Sequence, residues 1–295
     1  MKIAPSQLFS KGDRGNKRNN FLQFPLIRIF LALIFILPAI ISFNYLYKNI
    51  EPRWTTFLGD VGAIIIIMLY YLCYTMYLKF VEKRPNFELS LQNFFNETGL
   101  GFIVGTVLVF LTTLFIFFRG TFQIISTNPD EFLIHAFLIF ALLAFTEDLI
   151  FRVIIFRLLE ELIGSWLSIL FIAAIFGIVH LVHEPATIIS TIAIALQDIV
   201  LSAAFILTRR IWLCWGIHWG WNYTQDGILG MPNSGVELLP SWLNTEVSGP
   251  IWLTGGNIGI EQSVLGVLLN IIAGFIIIKI SINRGQLLKP SWRHK

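Results

Sequence analysis

Six consecutive residues, Glu147-Asp148-Leu149-Ile150-Phe151-Arg152, set two acids and an arginine inside a stretch that otherwise reads as lipid-soluble helix. An ionisable side chain near a bilayer centre costs roughly 2.5 kcal/mol or more, so each needs a partner, a wet cavity or a chemical task. Asp148 and Arg152 are four residues apart and share a helix face, which pairs one acid and leaves Glu147 without its own cation. A carboxylate placed this way has the profile of a general base. The competing reading is a structural ion cluster at the end of the helix.

Two histidine patterns follow. Phe176-Gly177-Ile178-Val179-His180 lies on the next apolar segment, and Gly164-Ser165 is the natural turn between the two. Glu147 precedes Gly164 by 17 residues and His180 follows it by 16. In an antiparallel pair rising about 1.5 Å per residue, both side chains then sit roughly 24–26 Å from the turn and can meet. His183, beside Glu184 and Pro185, marks the end of that segment. Further on, His218-Trp219-Gly220-Trp221-Asn222 stacks an imidazole and a carboxamide on one face at i,i+4. Converging donors in a dry cavity suit an oxyanion; alternatively Trp212, Trp215, Trp219 and Trp221 form an interfacial belt with His218 as a bystander. Asp198, beside Gln197, is a site-supporting group or a polar contact within the bundle. His135, four residues after Glu131, reads as interfacial.

The elements that carry these residues are dictated by composition. Of 295 residues 56% are hydrophobic and 13% charged, with a mean hydropathy of +0.73, which predicts an all-α, polytopic membrane helix bundle. Apolar runs near the bilayer length of about 20 residues occur at 26–47, 57–80, 99–118, 132–162, 165–183, 187–207, 211–229 and 262–281, about eight spans. With the N-terminus in the cytoplasm, Lys2, Lys11, Arg14, Lys17, Arg18, Lys79, Lys83, Arg84, Arg157, Arg209, Arg210, Lys279, Arg284, Lys289, Arg293 and Lys295 lie inside. Only Lys48, Arg53 and Arg119 lie outside. That asymmetry puts both termini in the cytoplasm.

The chain divides into a basic N-terminal arm (1–20), helices 1–3 (21–130), a motif-bearing core (131–229), an external loop (230–261) and a last helix with a basic tail (262–295). The arm lies on an anionic leaflet. The loop, with Pro232, Pro240, Pro250, Trp242 and Trp252, reads as structured or partly re-entrant. The Arg157-Glu160-Glu161 end of the fourth helix is expected to project into cytosol. The first span lacks a small-residue cleavage site and is retained. Cys73 and Cys214 lie far apart in apolar segments, so no disulfide framework or cysteine-rich metal site is indicated. No nucleic-acid motif accompanies the net charge of +3.

The order Glu-Asp-x-x-x-Arg, Phe-x-x-x-His, His-x-x-x-Asn on successive membrane helices resembles the CPBP, or Abi, family of intramembrane endopeptidases, which includes the CAAX prenyl protease of the endoplasmic reticulum. The motif region covers about residues 131–229. Gly259-Ile260-Glu261-Gln262-Ser263 is also similar to the glycine-glutamate-serine stretch that opens the last helix in bacterial members. The resemblance implies that Glu147 is the general base and that His180 helps hold the water. It also implies that His218 and Asn222 stabilise the oxyanion and that Asp148 and Arg152 support the site. Asp148 stands where the family has a second glutamate, and Val153 where glycine is common, which puts the supporting geometry in question. Glu147, His180 and His218 are chemically capable zinc ligands, but no His-Glu-x-x-His is present. A glutamate-activated water needs no metal, so the expectation is no cofactor, with zinc as the alternative.

The expected function is hydrolysis of a peptide bond near the membrane, in a peptide or lipidated protein. The alternatives are a non-catalytic binding or bacteriocin-immunity protein that keeps the site as a cavity, and a transporter relaying protons through Glu147 and Asp198. Membrane lipids are the surrounding partner, nucleic acid is not expected, and a bacterial inner membrane fits the small size and short loops.

Overall fold

In hydrocarbon no water is available to bond free peptide groups, so apolar runs of this length close their hydrogen bonds internally as helices. The computed structural model, which describes residues 21–50, 57–182, 186–236 and 240–291, has this architecture. The helices are α1 (Pro25–Ile50), α2 (Phe57–Tyr77), α3 (Phe94–Phe118), α4 (Glu131–Asp148), α5 (Arg157–Val179), α6 (Ile188–Thr208), α7 (Ile211–Asn222), α8 (Ile251–Thr254) and α9 (Val264–Asn283). π-helical turns extend α2 (Leu78–Glu82), α4 (Leu149–Phe156) and α7 (Tyr223–Ile228). The basic arm 1–20, the side chain of Lys48, Arg53, His183 and the last basic residues, Arg293 and Lys295, lie outside what is described here.

Among the described residues six helical runs are long and apolar enough to cross a membrane. One of them, Glu131–Val182, is 52 residues long and breaks at Gly164, whose φ of 78° and ψ of 168° are non-helical. The chain doubles back there: the Phe151 and Phe176 rings lie 5.2 Å apart, whereas an unbroken helix would separate them by about 37 Å. The fourth and fifth expected spans are the two arms of this hairpin. α7 with its π-turn, Ile211–Ile228, is not among these runs.

A two-stranded antiparallel ribbon joins segments that the sequence left as connections. β1 (Phe122–Thr127) pairs with β2 (Leu243–Val247), from Phe122 opposite Val247 to Thr127 opposite Leu243. It ties β2, in the loop 230–261, to the end of α3 through pairing with a strand too distant in sequence to be foreseen.

At the other end of the bundle the Arg157-Glu160-Glu161 segment does not project. Arg157 and Glu160 are fully buried. Arg157 meets Glu82 with two nitrogens at 2.6 and 3.0 Å and Glu88 at 3.1 Å. Arg209 bonds Glu160, and Arg28 bonds Glu161. Four charged segments neutralise one another here, which is why charges that read as topological markers lie inside the protein. The tail after α9 packs onto the same end: Ser165 N donates to Leu288 O at 3.1 Å, and a Cβ at Gly164 would lie 2.7 Å from Pro290 N.

Candidate active site

The site is built around α7, whose two faces serve different purposes. Gly216 and Gly220, four residues apart, face α3, where Gly101 and Gly105 repeat the spacing. A Cβ on Gly101 would lie 2.4 Å from Leu213 O, one on Gly105 2.1 Å from Ile217 O, and one on Gly220 2.3 Å from Phe102 O. The helices therefore touch backbone to backbone, as paired small-xxx-small motifs permit in membranes. At 100° per residue, His218 and Asn222 fall on the opposite face, turned toward α4 and α5.

Trp212, Trp215 and Trp219 do not form an interfacial belt. Their indole nitrogens donate to Ser90 O, Ala141 O and Phe137 O at 2.6–2.8 Å, and Trp212, Trp215 and Trp221 are buried. They fix α7 against α4 from within the bundle.

His218 lies between the two consecutive acids of α4. Its Nε2 is 3.7 Å from Glu147 and its Nδ1 is 3.5 Å from Asp148. Asp148 keeps the expected pair with Arg152, at 3.4 Å. The principal partner of Arg152 is on α6: its Nη2 is 2.5 Å from Asp198, with both side chains fully buried. Ser202 completes the set by donating to Asp198 at 3.3 Å, and the guanidinium sits 4.9 Å from the centre of the Phe176 ring. The π-turn begins directly after Asp148, and such turns alter the phase of a helix where side chains must converge. Asp198 thus lines the same cavity as Glu147 and holds the arginine that pairs with Asp148.

His180 ends α5, where the helix tightens into a 3₁₀ turn. Its Nδ1 lies 2.7 Å from Phe176 O; a carbonyl only accepts, so Nδ1 carries a proton. Glu147 is four residues before Phe151 and His180 four after Phe176, so the contact of those rings sets Glu147 and His180 at one level, as the turn at Gly164 predicts. Gly177 permits the approach of α6, since a Cβ there would lie 2.5 Å from Thr191 O.

Glu147, His180, His218 and Asn222 all line one cavity of about 420 Å³. Among its other lining residues are Phe140, Leu143, Phe176, Ile194 and Leu201, and the polar Asp198, Asp226, Asn233, Ser234, Glu261 and Asn270. Among the described residues no group of three His, Cys, Asp or Glu side chains is placed to hold a metal ion.

Several cavity residues were not singled out from sequence. Asn270, 2% exposed in the middle of α9, was legible as an amide within a hydrophobic run. Asp226, in the π-turn after Asn222, was readable as a polar residue within an apolar segment. Asn233 and Ser234 had no such signal. His135 is not a bare interfacial residue but pairs with Asp60 of α2 at 2.8 Å.

Residues 129–224 match the model of the family described as type II CAAX prenyl endopeptidase Rce1-like. That span holds Glu147, Asp148, Arg152, His180, Asp198, His218 and Asn222 together. No curated protein and no solved structure matches the chain. With its apolar helical runs the chain is a multi-pass membrane protein, and across α4–α7 it is similar to the CPBP family, the family of the Rce1-like CAAX prenyl endopeptidases.

Proposed function

We propose that this protein is an intramembrane endopeptidase that hydrolyses a peptide bond with a water activated by Glu147. The observation that carries this reading is the convergence of Glu147, His180, His218 and Asn222 on one cavity inside a helix bundle. A water held between the Glu147 carboxylate and Nε2 of His180 is oriented by both. Glu147 takes one of its protons as the oxygen attacks the carbonyl carbon. The carbonyl π pair moves onto oxygen, and the developing oxyanion accepts hydrogen bonds from the Asn222 amide and from Nε2–H of a doubly protonated His218, whose Nδ1–H faces Asp148. Glu147 then passes its proton to the leaving nitrogen as the C–N bond breaks.

Asp148 and Arg152 act behind these groups. Asp148 holds His218 by Nδ1, and Arg152 is itself held by Asp198. In this reading the shorter second acid is accommodated because its role is to position an imidazole. No metal enters the scheme. The substrate is a membrane-associated peptide or lipidated protein, both termini face the cytoplasm, and the host membrane is a bacterial inner membrane.

The test is quantitative mass spectrometry of protein termini in membranes of cells lacking this chain, complemented with wild type or with Glu147→Gln at equal expression. New termini present only with wild type support hydrolysis and identify the substrate. Identical termini, with the phenotype rescued by Glu147→Gln, would replace this reading by a non-catalytic binding protein.

A further inference from the structure

The two ends of the bundle differ in charge and in closure. At one end the starts of α1, α3, α5 and α7 meet the ends of α2 and α6, tied by Arg28 to Glu161, Arg157 to Glu82, Arg209 to Glu160 and Arg210 to Glu97. These arginines are buried and each has a structural partner, so the sidedness of the chain has to be read without them. With the paired arginines set aside, the exposed Lys79, Lys83, Lys279, Arg284 and Lys289 still lie at that end. Among the described residues Arg119 is the only exposed cation at the other end, where β1 pairs with β2. The surviving asymmetry puts the ion-paired end in the cytoplasm and the ribbon outside.

The cavity belongs to the ribbon end. Its wall takes His180 from the end of α5, Asn222 and Asp226 from the end of α7 and its π-turn, Asn233 and Ser234 from the loop, and Glu261 from just before α9. Ser234 N donates to Glu261 at 3.0 Å, and Thr245 of β2 donates to Leu229 O at 2.7 Å, so this rim and the ribbon are one assembly. Toward the cytoplasmic end two tiers of ion pairs close the cavity. The first is Arg152 with Asp148 and Asp198; the second, further along the same helix, is Arg157 with Glu82 and Glu160 with Arg209. No side chain in either tier has exposed surface. A peptide arriving from that side would have to part these pairs and strand their charges. Resting on the peptidase reading above, we propose that the cavity takes its substrate from the extracytoplasmic side. The bond that is cut then lies in an extracytoplasmic segment, or in the outer half of a span, of a membrane-bound protein, and a cytosolic peptide tail is not a substrate.

The experiment uses the full-length chain in its own membrane, with a membrane-impermeant maleimide applied to intact spheroplasts and to inverted vesicles. Ser234→Cys and Val236→Cys report the cavity rim, so that one remains if the other fails to fold. Lys83→Cys and Lys289→Cys report the ion-paired end, and wild type, whose Cys73 and Cys214 are buried, gives the background. The expected result is rim labelling at least tenfold above background in spheroplasts, with Lys83→Cys and Lys289→Cys labelled only in inverted vesicles. Rim labelling in inverted vesicles, rim labelling in neither preparation, or labelling of Lys83→Cys in spheroplasts overturns the proposal. In the same cells, termini that form with wild type and not with Glu147→Gln are mapped onto the topology of the proteins that carry them, and should fall on the extracytoplasmic side. Glu147-dependent termini in cytosolic segments overturn the side of access and leave the peptidase reading intact. Rim labelling in spheroplasts with no Glu147-dependent terminus overturns the peptidase reading and leaves the side of access standing.

Discussion

Arg152 in the π-turn after α4 and Asp198 in the middle of α6 form a 2.5 Å ion pair in which neither side chain has any exposed surface. The pair joins the helix that bears Glu147 to a helix outside the three recognised motifs. Removing one partner of a buried ion pair strands the other charge, which costs about 3–5 kcal/mol. Asp198→Asn should therefore lower thermal stability in detergent by an amount of that order. Arg152→Met, which strands both Asp198 and Asp148, should be worse. Equal and small shifts for the two variants would show that the cluster is solvated.

Packing of α3 on α7 sets the position of His218. Gly105→Ala puts a methyl 2.1 Å from Ile217 O, and the only relief is separation of the helices. Hydrolysis should fall at least tenfold with the fold retained, because an active-site displacement of about 1 Å is enough to cost on the order of a hundredfold. Gly99→Ala, where nothing lies within 4 Å of the added Cβ, is the control and should be neutral. The check is product formation against far-UV circular dichroism.

Glu147→Gln should reduce turnover by about 10²–10⁴-fold, the range for loss of a general base, with little change in unfolding temperature because this side chain is 35% exposed in the cavity. Asn222→Ala should cost about 10²–10³ in kcat if it donates to the oxyanion. An Asn222→Ala defect confined to KM would move that residue from the chemistry to substrate binding.

Stability should depend on pH through Glu261. Burial pushes its carboxyl up from the ordinary 4.5 to about 7, against the hydrogen bonds from Gln225 and Ser234. The folded chain thus holds this proton more tightly than the unfolded chain does. The resulting stabilisation is fully present below about pH 4.5 and is lost as pH rises through about 7, a change on the order of 3 kcal/mol. Melting curves between pH 4.5 and 8 should show it, and Glu261→Gln should flatten that part of the profile.

Metal independence predicts that hydrolysis survives prolonged treatment with a strong chelator while Glu147→Gln abolishes it. Zinc copurifying stoichiometrically with wild type and lost in His180→Ala would require a metal mechanism instead.

The sequence by itself determined the helical membrane class, because apolar runs near bilayer length leave the backbone no other way to close its hydrogen bonds. It also determined the level shared by Glu147 and His180, since a glycine turn and a fixed rise per residue leave little freedom, and the pairing of Asp148 with Arg152, since i,i+4 neighbours share a face. These are local or periodic relationships. The tertiary structure decided what depends on which helix lies beside which: Asp198 on Arg152, His218 between Glu147 and Asp148, β1 paired with β2, and Arg157 and Glu160 buried. An arginine that marks topology and one that closes a buried pair are the same residue in one dimension. Only the arrival of Glu82 at Arg157, 75 residues away, and of Arg209 at Glu160 separates the two. The glycines of α3 and α7 lie between these cases: their spacing was legible, but that the two motifs meet each other was settled by packing.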